Sequence, residues 1–424
     1  MGLIDAIGGW AKRVAAASVS TRSFQEEVDV FRAYLLTSLH QHELSAAAYS
    51  AADVDTISAI AKEVRTAASV ATFDHQKREV FSVVFRQCCT ALDVQLQAMR
   101  AAEVMRGGES SSMREGVSPP VDFPISPPLG FPSSRTQDGG GSEVEGEMRK
   151  ARQIVQERLG FSLKVMPSEK VMGALEEAGL LEEGHVEEGV FLRGQAIPGS
   201  VVSFYPGWTY NPSHLRHMYN YPQIDRGNDY LFARIDTAVV DGKGVEFDPF
   251  IFFNPARFEL AQQAHLPLPT PAPSPSHPPP PFRHCSLLGF GQRVNHPPKG
   301  EAPNVVAVPI DFPTSIPPQL AAFLPNRDLH PTASMSLLGY KSASGYDQSV
   351  VEEVMHDLEW TGPSSPSLLT RTVVLVALRP IGDGEELYLD YRYSPRMKER
   401  WPAWYHAVNS EEAERRWQAA TWWK

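Results

Sequence analysis

Three short stretches of the chain carry the side chains whose types and spacing could do chemistry. In chain order they are Gly189–Leu192 followed by Val201–Gly207, then Gly291–His296, and finally Gly384–Tyr391. They contain glycine-led strand entries, an Asn-His pair and tyrosines. The sequence has no GxSxG nucleophile elbow, P-loop, HExxH helix or full dinucleotide fingerprint. It therefore does not indicate the hydrolase, nucleotide-binding and zinc-protease chemistries that those motifs support.

Composition argues against several kinds of partner. The 424 residues carry a formal net charge of −11, whereas direct binding to nucleic-acid phosphates calls for a basic face. No apolar run approaches the ~20 residues of a membrane-spanning helix, so we expect no membrane partner. Cysteine occurs only at Cys88, Cys89 and Cys285, without a CxxC pair. We therefore expect neither a disulfide framework nor a metal site.

Residues 1–106 are predicted to form a helical N-terminal region. Apolar side chains recur there at three- and four-residue steps, which gives each segment one apolar stripe. The clearest stripes are Val28, Phe31, Leu35 and Leu39, and Val80, Val84, Cys88 and Leu92. Three or four such helices would form a small bundle. Residues 107–146, rich in Gly, Ser and Pro, are predicted to be a disordered linker, and a helix is predicted at 147–159.

Short strands and turns dominate from residue 160 onward. Strand-like runs include Ser200–Tyr205 and a hairpin over Tyr230–Val240 that leads into Asp241-Gly242. Nine of the eighteen residues 265–282 are proline, which predicts an extended insertion because proline has no amide donor. Thr372–Leu378 is predicted to pair with Glu386–Tyr393.

The chain end is predicted to be an aromatic closing segment with a helix. Residues 401–424 are rich in tryptophan. A helix is expected to begin at Ser410, because Ser is a favoured N-cap and the following Glu411 and Glu412 suit a helix N-terminus.

Taken together and in this order, the three stretches resemble the SET-domain family, and within it the subgroup called SET domain-containing protein 9. The resemblance covers about residues 156–393. It implies an α+β fold in which residues 147–400 form small β-sheets with a pseudoknot, after the helical bundle and before a C-terminal aromatic helix. The Asn-His stretch and the final Asp-Tyr strand would cross in that pseudoknot, which composition alone could not suggest.

The resemblance implies transfer of a methyl group from S-adenosylmethionine to a lysine side chain of a protein substrate, histone or non-histone. Such an in-line displacement depends mainly on alignment of the reacting atoms. The lysine must be neutral, although its free pKa is ~10.4, and burial in an aromatic channel lowers that pKa. Aromatic faces also attract the sulfonium cation of the cofactor.

The family's functional residues transfer to matching positions of this chain. The catalytic residues implied are Tyr391 and Tyr205, which would line the methyl-transfer channel. The cofactor-binding residues implied are Gly189, Val190, Phe191, Asn228, Asn295, His296 and Trp404.

Two departures from the family pattern leave an alternative open. Glu187 stands where the first glycine of the strand entry is usual, and Ala307 replaces an aromatic residue near the lysine channel. The alternative is a catalytically silent SET-fold adaptor that binds a peptide or partner protein. A third hypothesis is an interaction protein that works through its N-terminal helical bundle and through residues 265–282, where a partner recognising polyproline II helix would bind. The compartment stays open between nucleus, cytoplasm and mitochondrion.

Overall fold

The structure of the protein is a computed structural model with helices in its N-terminal part and small, mainly antiparallel sheets beyond them. This mixture is compatible with the predicted α+β class. The model describes residues 21–41, 54–110, 141–182, 184–210, 229–234, 236, 238–242, 286–321, 323–328 and 368–418. The proline-rich residues 265–282, Asn228 and Cys285 lie outside the described residues.

Among the described residues, four helices precede the first strand: α1 (Thr21–Gln41), α2 (Val54–Val70), α3 (Phe73–Ser110) and α4 (Gly141–Leu159). Helix α3 packs against α1 and α4, and it also touches two of the strands that follow. The predicted stripe on α3 is buried, with Val84, Cys88 and Leu92 at 0% exposure. This apolar face stabilises the helix by packing.

The helices extend into both ends of the segment predicted as a linker. Helix α3 continues to Ser110 and α4 begins at Gly141, and the boundaries of the predicted linker stay predictions. Each residue added to an existing helix gains one hydrogen bond. Residues 111–140 lie outside the described part of the chain.

Within the part of the chain that the structure describes, nine strands form three small sheets. The first pairs β1 (Phe161–Pro167) with β2 (Glu188–Gly194) in antiparallel register. The second has the order β3-β9-β7, with β3 at Val201–Tyr205, β7 at Val305–Pro313 and β9 at Leu368–Ala377. The third has the order β5-β6-β4-β8, with β4 at Gly207–Tyr210, β5 at Leu231–Ala233, β6 at Val239–Asp241 and β8 at Asn326–Asp328. The antiparallel β5–β6 pair corresponds to the predicted hairpin.

Three short helices complete the described elements: α5 (Glu169–Glu177), α6 (Pro318–Ala321) and α7 (Ser410–Gln418), with 3₁₀ turns at Gly291–Arg293 and Pro395–Arg400. Helix α7 begins at the predicted residue. The aromatic residues Trp401, Trp404 and Tyr405 precede this helix instead of lying within it. Pro402 and the turn after it keep these aromatic residues out of a helix, and the aromatic character of the C-terminal helix stays a prediction.

The predicted pairing of Thr372–Leu378 with Glu386–Tyr393 is wrong. Strand β9 is paired on both sides, by β3 and β7, so it has no free edge for a third strand. Residues 386–389 instead form isolated bridges with Phe191, Asn295 and Val305. The chain end thus runs between segments that are far away in sequence, and the pseudoknot itself stays a prediction.

One hydrophobic core joins the N-terminal helices to the sheets. It includes Leu35 of α1, Leu92 of α3, Val202 of β3 and Phe312 of β7. The rings of Phe85 on α3 and Phe312 lie 5.5 Å apart. The predicted boundaries between the helical region, residues 147–400 and residues 401–424 stay predictions.

Two glutamines on α3 form hydrogen bonds with residues at or just before two of the stretches noted in the sequence, Val201–Gly207 and Gly291–His296. Gln87 accepts a hydrogen bond from the Val201 amide at 2.8 Å and donates one to the Gly199 carbonyl at 3.0 Å. Gln95, fully buried, accepts from the Leu287 amide at 2.8 Å. These amides satisfy backbone groups that would otherwise be buried without partners.

The shared core predicts that the helices and sheets unfold together. Phe312→Ala should lower the free energy of unfolding by about 3–5 kcal/mol, because the ring is fully buried and leaves a cavity. Denaturant unfolding followed by far-ultraviolet circular dichroism and by tryptophan fluorescence should give one coincident transition.

Phe81→Ala is the matched control, since Phe81 lies on the same helix as Phe85 but is 41% exposed. Its loss should be about 1 kcal/mol. Two separate transitions in the Phe312 variant, or equal losses in both variants, would contradict a common core.

Candidate active site

The site is built around residues 384–389, whose backbone hydrogen bonds connect it to β2 and to the Asn-His stretch. The Leu387 amide donates to the Val190 carbonyl at 2.7 Å, and the Leu192 amide donates to the Glu385 carbonyl at 2.9 Å. The Leu389 amide donates to the Asn295 carbonyl at 2.9 Å. The predicted site segments therefore meet along one strip of backbone.

Asn304 completes this connection from the start of β7. Its side-chain oxygen accepts from the Tyr388 amide at 2.8 Å and its amide group donates to the Glu386 carbonyl at 2.7 Å. The side chain is fully buried. The Asn304 side chain therefore supplies hydrogen bonds to the backbone of Glu386 and Tyr388 of the kind that a neighbouring strand would supply.

A buried carboxylate, Glu386, lies where these segments meet. It accepts hydrogen bonds from the Ser168 hydroxyl at 2.8 Å, the Tyr388 hydroxyl at 2.7 Å and the Asn295 amide at 3.2 Å. The Asn295 amide also donates to the Glu188 carbonyl at 2.9 Å. Three donors compensate for the loss of water around the carboxylate.

Gly189 is necessary for this close approach. A Cβ atom at Gly189 would lie 2.1 Å from Oε1 of Glu386 and 3.2 Å from the amide nitrogen of Asn295. Any larger residue would displace the carboxylate or the asparagine. The glycine thus sets the position of the Asn295 side chain.

Val190 and Phe191 face opposite sides of β2, as strand geometry requires. Val190 is fully buried in the core, so only its backbone is available to a ligand. Phe191 is half-buried and lines a cavity of about 310 Å³ together with Glu386 and Tyr388. Of the two predicted cofactor-binding residues, Val190 can therefore contact a ligand only through its backbone, whereas Phe191 can also contact one through its side chain.

His296 is neutral and held at both ring nitrogens. Its Nε2 donates to the His406 carbonyl at 2.8 Å, and its Nδ1 accepts from the Tyr391 amide at 3.4 Å. Burial lowers the pKa of His296 to about 4 and outweighs the opposing effect of the Asp390 carboxylate. A ligand could contact this residue only through its ring face or its backbone.

Tyr391 lies against His296 and is fixed by its hydroxyl. The hydroxyl donates to the Val294 carbonyl at 3.0 Å, and the rings of Tyr391 and His296 are 5.5 Å apart. Burial is the main cause that raises the pKa of Tyr391 above 10, and the charges of Tyr393 and Glu187 add to it. The phenol is therefore protonated at neutral pH.

Tyr205 occupies the end of β3, on the side of the site formed by the third sheet. Its hydroxyl donates to the Tyr230 carbonyl at 2.8 Å, and its ring centroid lies 5.5 Å from that of Phe232. Burial raises the pKa of Tyr205 well above 10, and Tyr391 is the next cause. Ala307 packs against this group, so the position noted in the sequence does lie beside Tyr205.

Aromatic rings from the chain end cover Tyr391 and His296. Trp404 lies 6.0 Å from Tyr391 in an edge-to-face arrangement, and Tyr405 lies 4.6 Å from His296. Edge-to-face pairs of this kind are favoured by the quadrupoles of the rings. Trp404 remains 40% exposed, so part of its ring is open to a ligand.

Charged groups flank the entry to β2. Glu187, at the unusual position of the strand entry, pairs with the exposed His185 at 2.9 Å. Glu188 forms an ion pair with Arg293. Because Glu187 contributes to the raised pKa of Tyr391, its negative charge acts within the site.

The structure brings together most of the residues predicted from the sequence. Gly189 and Asn295 meet at Glu386, and His296, Tyr391 and Trp404 form one aromatic group. Tyr205 reaches the site from β3, while Asn228 lies outside the described residues.

Sequence reasoning did not select Glu386, Phe232 or Tyr393 as site residues. Glu386 could have been noticed as an acid at the start of the strand-like run Leu387–Leu389, where a buried charge is unusual. Nothing local distinguishes Phe232 or Tyr393 from ordinary strand aromatics.

Comparison with known proteins finds distant relatives of the chain. The chain is 27% identical over 258 residues to SET domain-containing protein 9 from Homo sapiens and to the protein of the same name from Pongo abelii. The matches cover 57% of this chain and 62% and 67% of the two relatives. No family model matches the chain, and no solved structure matches it.

These matches show a distant relation of the chain to the SET-domain family. The chain spans about three fifths of the length of the human relative. Within the described ranges, no group of His, Cys, Asp and Glu could hold a metal ion, and no helix is long and apolar enough to cross a membrane.

Because Glu386 lies so close to Gly189, one methyl group added at Gly189 should lower the stability of the protein. Gly189→Ala should destabilise the protein by about 1–3 kcal/mol, because Glu386 must shift and lose donors. Chemical denaturation measures this loss.

Gly173→Ala is the control, since a Cβ atom there meets nothing within 4 Å and the residue lies inside α5. That variant should be as stable as the wild type or gain up to about 1 kcal/mol. A harmless Gly189→Ala would show that the carboxylate is not packed against β2 as described.

Because His296 is buried, we expect the protein to lose stability in mild acid. In the unfolded chain its pKa is near 6.5, and burial lowers the folded-state pKa to about 4. The neutral form therefore stabilises the fold above pH 6.5, and this contribution, at most about 3 kcal/mol, is lost as the pH falls from 6.5 toward 4.

His296→Gln should weaken this pH dependence in unfolding free energies measured between pH 7 and pH 4.5. His185→Gln, which removes a half-exposed ring, is the control. An unchanged slope in His296→Gln, or the same change in both variants, would contradict the assignment.

Proposed function

We propose that this protein is an S-adenosylmethionine-dependent methyltransferase that modifies a lysine side chain of another protein. The observation that carries the proposal is the position of Tyr391. Its hydroxyl is held by the Val294 carbonyl, directly before Asn295 and His296, and its ring lies beside Trp404. The distant relation to the SET-domain family supports the same function.

The described residues fit a sulfonium cofactor. The rings of Tyr391, His296 and Trp404 lie within 5.5 to 6.2 Å of one another, and aromatic faces attract cations. When bound, S-adenosylmethionine supplies an electrophilic methyl group.

Each cofactor-binding residue has a proposed contribution. The backbone of Gly189 and Val190 and the ring of Phe191 would flank the cofactor, and the side chain of Asn295, held by Glu386, would contact it. His296 would contribute through its backbone or ring face, because both ring nitrogens are already bonded. Trp404 offers a partly exposed ring for stacking, and Asn228 stays a proposed contact at the cofactor's amino-acid end.

Tyr205 and Tyr391 would act on the substrate amine. Both phenols are protonated at neutral pH because burial raises their pKa, and they therefore present polar oxygens without negative charge. An amine placed between them is partly desolvated, which favours its neutral and nucleophilic form. Ala307, where the family pattern has an aromatic residue, packs beside Tyr205.

The departures from the family pattern do not exclude this function. The Glu187 carboxylate is directed to His185, 2.9 Å away. The comparisons do not favour the adaptor alternative. The proposed protein partner is the substrate that presents the lysine, and binding of a polyproline II-recognising partner at residues 265–282 stays a prediction.

Calorimetric titration of the full chain with S-adenosylmethionine tests the cofactor site. We expect binding in the micromolar range for the wild type and about tenfold weaker binding for Asn295→Ala, a loss typical of one hydrogen bond to a charged or polar partner. Gln97→Ala, which removes an exposed amide on α3, is the control and should bind like the wild type.

Tyr391→Phe then separates binding from chemistry. It should bind cofactor nearly as well as the wild type but lose about 10²-fold in methyl transfer to lysine substrates, because it removes the hydroxyl that fixes the ring. Absence of cofactor binding by folded wild-type protein would refute the methyltransferase proposal. Binding without transfer to any lysine in a proteome-wide labelling experiment would instead support the adaptor.

A further inference from the structure

One residue beside the proposed catalytic tyrosine has an unusual backbone. Arg392 has φ of +55°, and among the described residues it is the one non-glycine residue with positive φ. A residue with a Cβ atom is disfavoured there by contact with its own carbonyl group. Such a conformation persists only where the surrounding structure holds it.

Two carboxylates hold Arg392 in this conformation. The Arg392 amide donates to Asp390 at 3.0 Å. The guanidinium nitrogen Nη1 lies 3.2 Å from each carboxylate oxygen of Asp29. Asp29 lies 363 residues earlier in the chain, on α1, so the second contact comes from the N-terminal helices.

The left-handed residue separates two tyrosines with different surroundings. Tyr391, before it, places its hydroxyl on the Val294 carbonyl. Tyr393, after it, stacks 4.6 Å from Tyr405, and its amide donates to the Tyr405 hydroxyl at 3.0 Å. A change of backbone conformation at Arg392 would turn one of these rings away from its position.

Helix α1 also contacts the far end of the aromatic segment. Arg32, one turn after Asp29, lies 3.4 Å from Glu412 of α7. The segment from Tyr391 to Glu412 is thus held by α1 on both sides of the rings that cover His296. The two ion pairs share one helix, so movement of α1 would affect both.

We propose that α1 positions the site through the Asp29–Arg392 pair, which holds the left-handed turn and thereby the orientation of Tyr391 and the covering rings. Asp29 and Arg392 are positioning residues and need not touch cofactor or substrate. This inference rests on the proposed function only for its effect on cofactor binding. Its structural part, the control of the turn by α1, is independent of any ligand.

Hydrogen exchange in the ligand-free full chain tests the structural part. The reporters are the amides of Tyr391 and Tyr393, which are protected by His296 and Tyr405. Asp29→Asn should raise their exchange rates by about fivefold, the effect expected of one partly buried ion pair. Glu63→Gln, an exposed acid on α2, should leave these rates unchanged.

Two substitutions of Arg392 distinguish control of the turn from a simple loss of charge. Arg392→Ala removes the ion pair but keeps a Cβ atom in the disfavoured conformation, so exchange should be at least as fast as in Asp29→Asn. Arg392→Gly removes the same charge but adopts positive φ readily, so its exchange should lie closer to the wild type. Wild-type exchange in Asp29→Asn, or equally fast exchange in both Arg392 variants, would overturn the proposal.

Titration with S-adenosylmethionine tests the functional consequence in the same variants. Asp29→Asn and Arg392→Ala should each weaken binding by a similar factor of about five. The affinity of Arg392→Gly should lie between that of these two variants and that of the wild type. Failure of the wild type to bind would refute the proposed function and leave the exchange result standing. Faster exchange with unchanged affinity would show that α1 holds the turn without controlling cofactor binding, which contradicts the positioning role.

Discussion

The site depends on how the backbone of residues 384–389 finds hydrogen-bond partners, because these residues belong to none of the three sheets. Its amide and carbonyl groups are nevertheless bonded, to β2 through Val190 and Leu192, to Asn295, and to the side chain of Asn304. Buried backbone groups rarely remain without partners. Satisfying them therefore draws three distant parts of the chain together, and the proposed site residues lie where those parts meet.

A buried acid and a group of aromatic rings lie close to residues 384–389. Glu386 is held by Ser168, Tyr388 and Asn295 beside Gly189, and beyond it Tyr391 continues into the rings of His296 and Trp404. The N-terminal helices support both of them. Gln87 and Gln95 hold the segments leading to Tyr205 and Asn295, while Asp29 holds the residue after Tyr391. The helices and the site are thus parts of one packed structure.

The sequence predicted the local elements well and their partners less well. The four-residue stripe on α3, the strand at Gly189 and the helix start at Ser410 all follow from the types of neighbouring residues, and the structure contains each of them. Adjacent strand-like runs usually pair, and for this reason the sequence predicts that Glu386–Tyr393 pairs with β9. The competing partners, β3 and β7, become evident only in three dimensions. The ion pair of Asp29 with Arg392 has no sequence signal, since 363 residues separate them. The predicted resemblance to the SET-domain family, by contrast, is confirmed as a distant relation of the chain.

A crystal structure of the full chain grown with S-adenosylhomocysteine, the product of methyl donation, would test the central claim most directly. The proposed site predicts density against the backbone of Gly189 and Val190, the side chain of Asn295 and the ring of Trp404, with the former methyl position directed toward Tyr391. Density at another place on the protein, or an occupied site that leaves Asn295 and Tyr391 without contact, would contradict it.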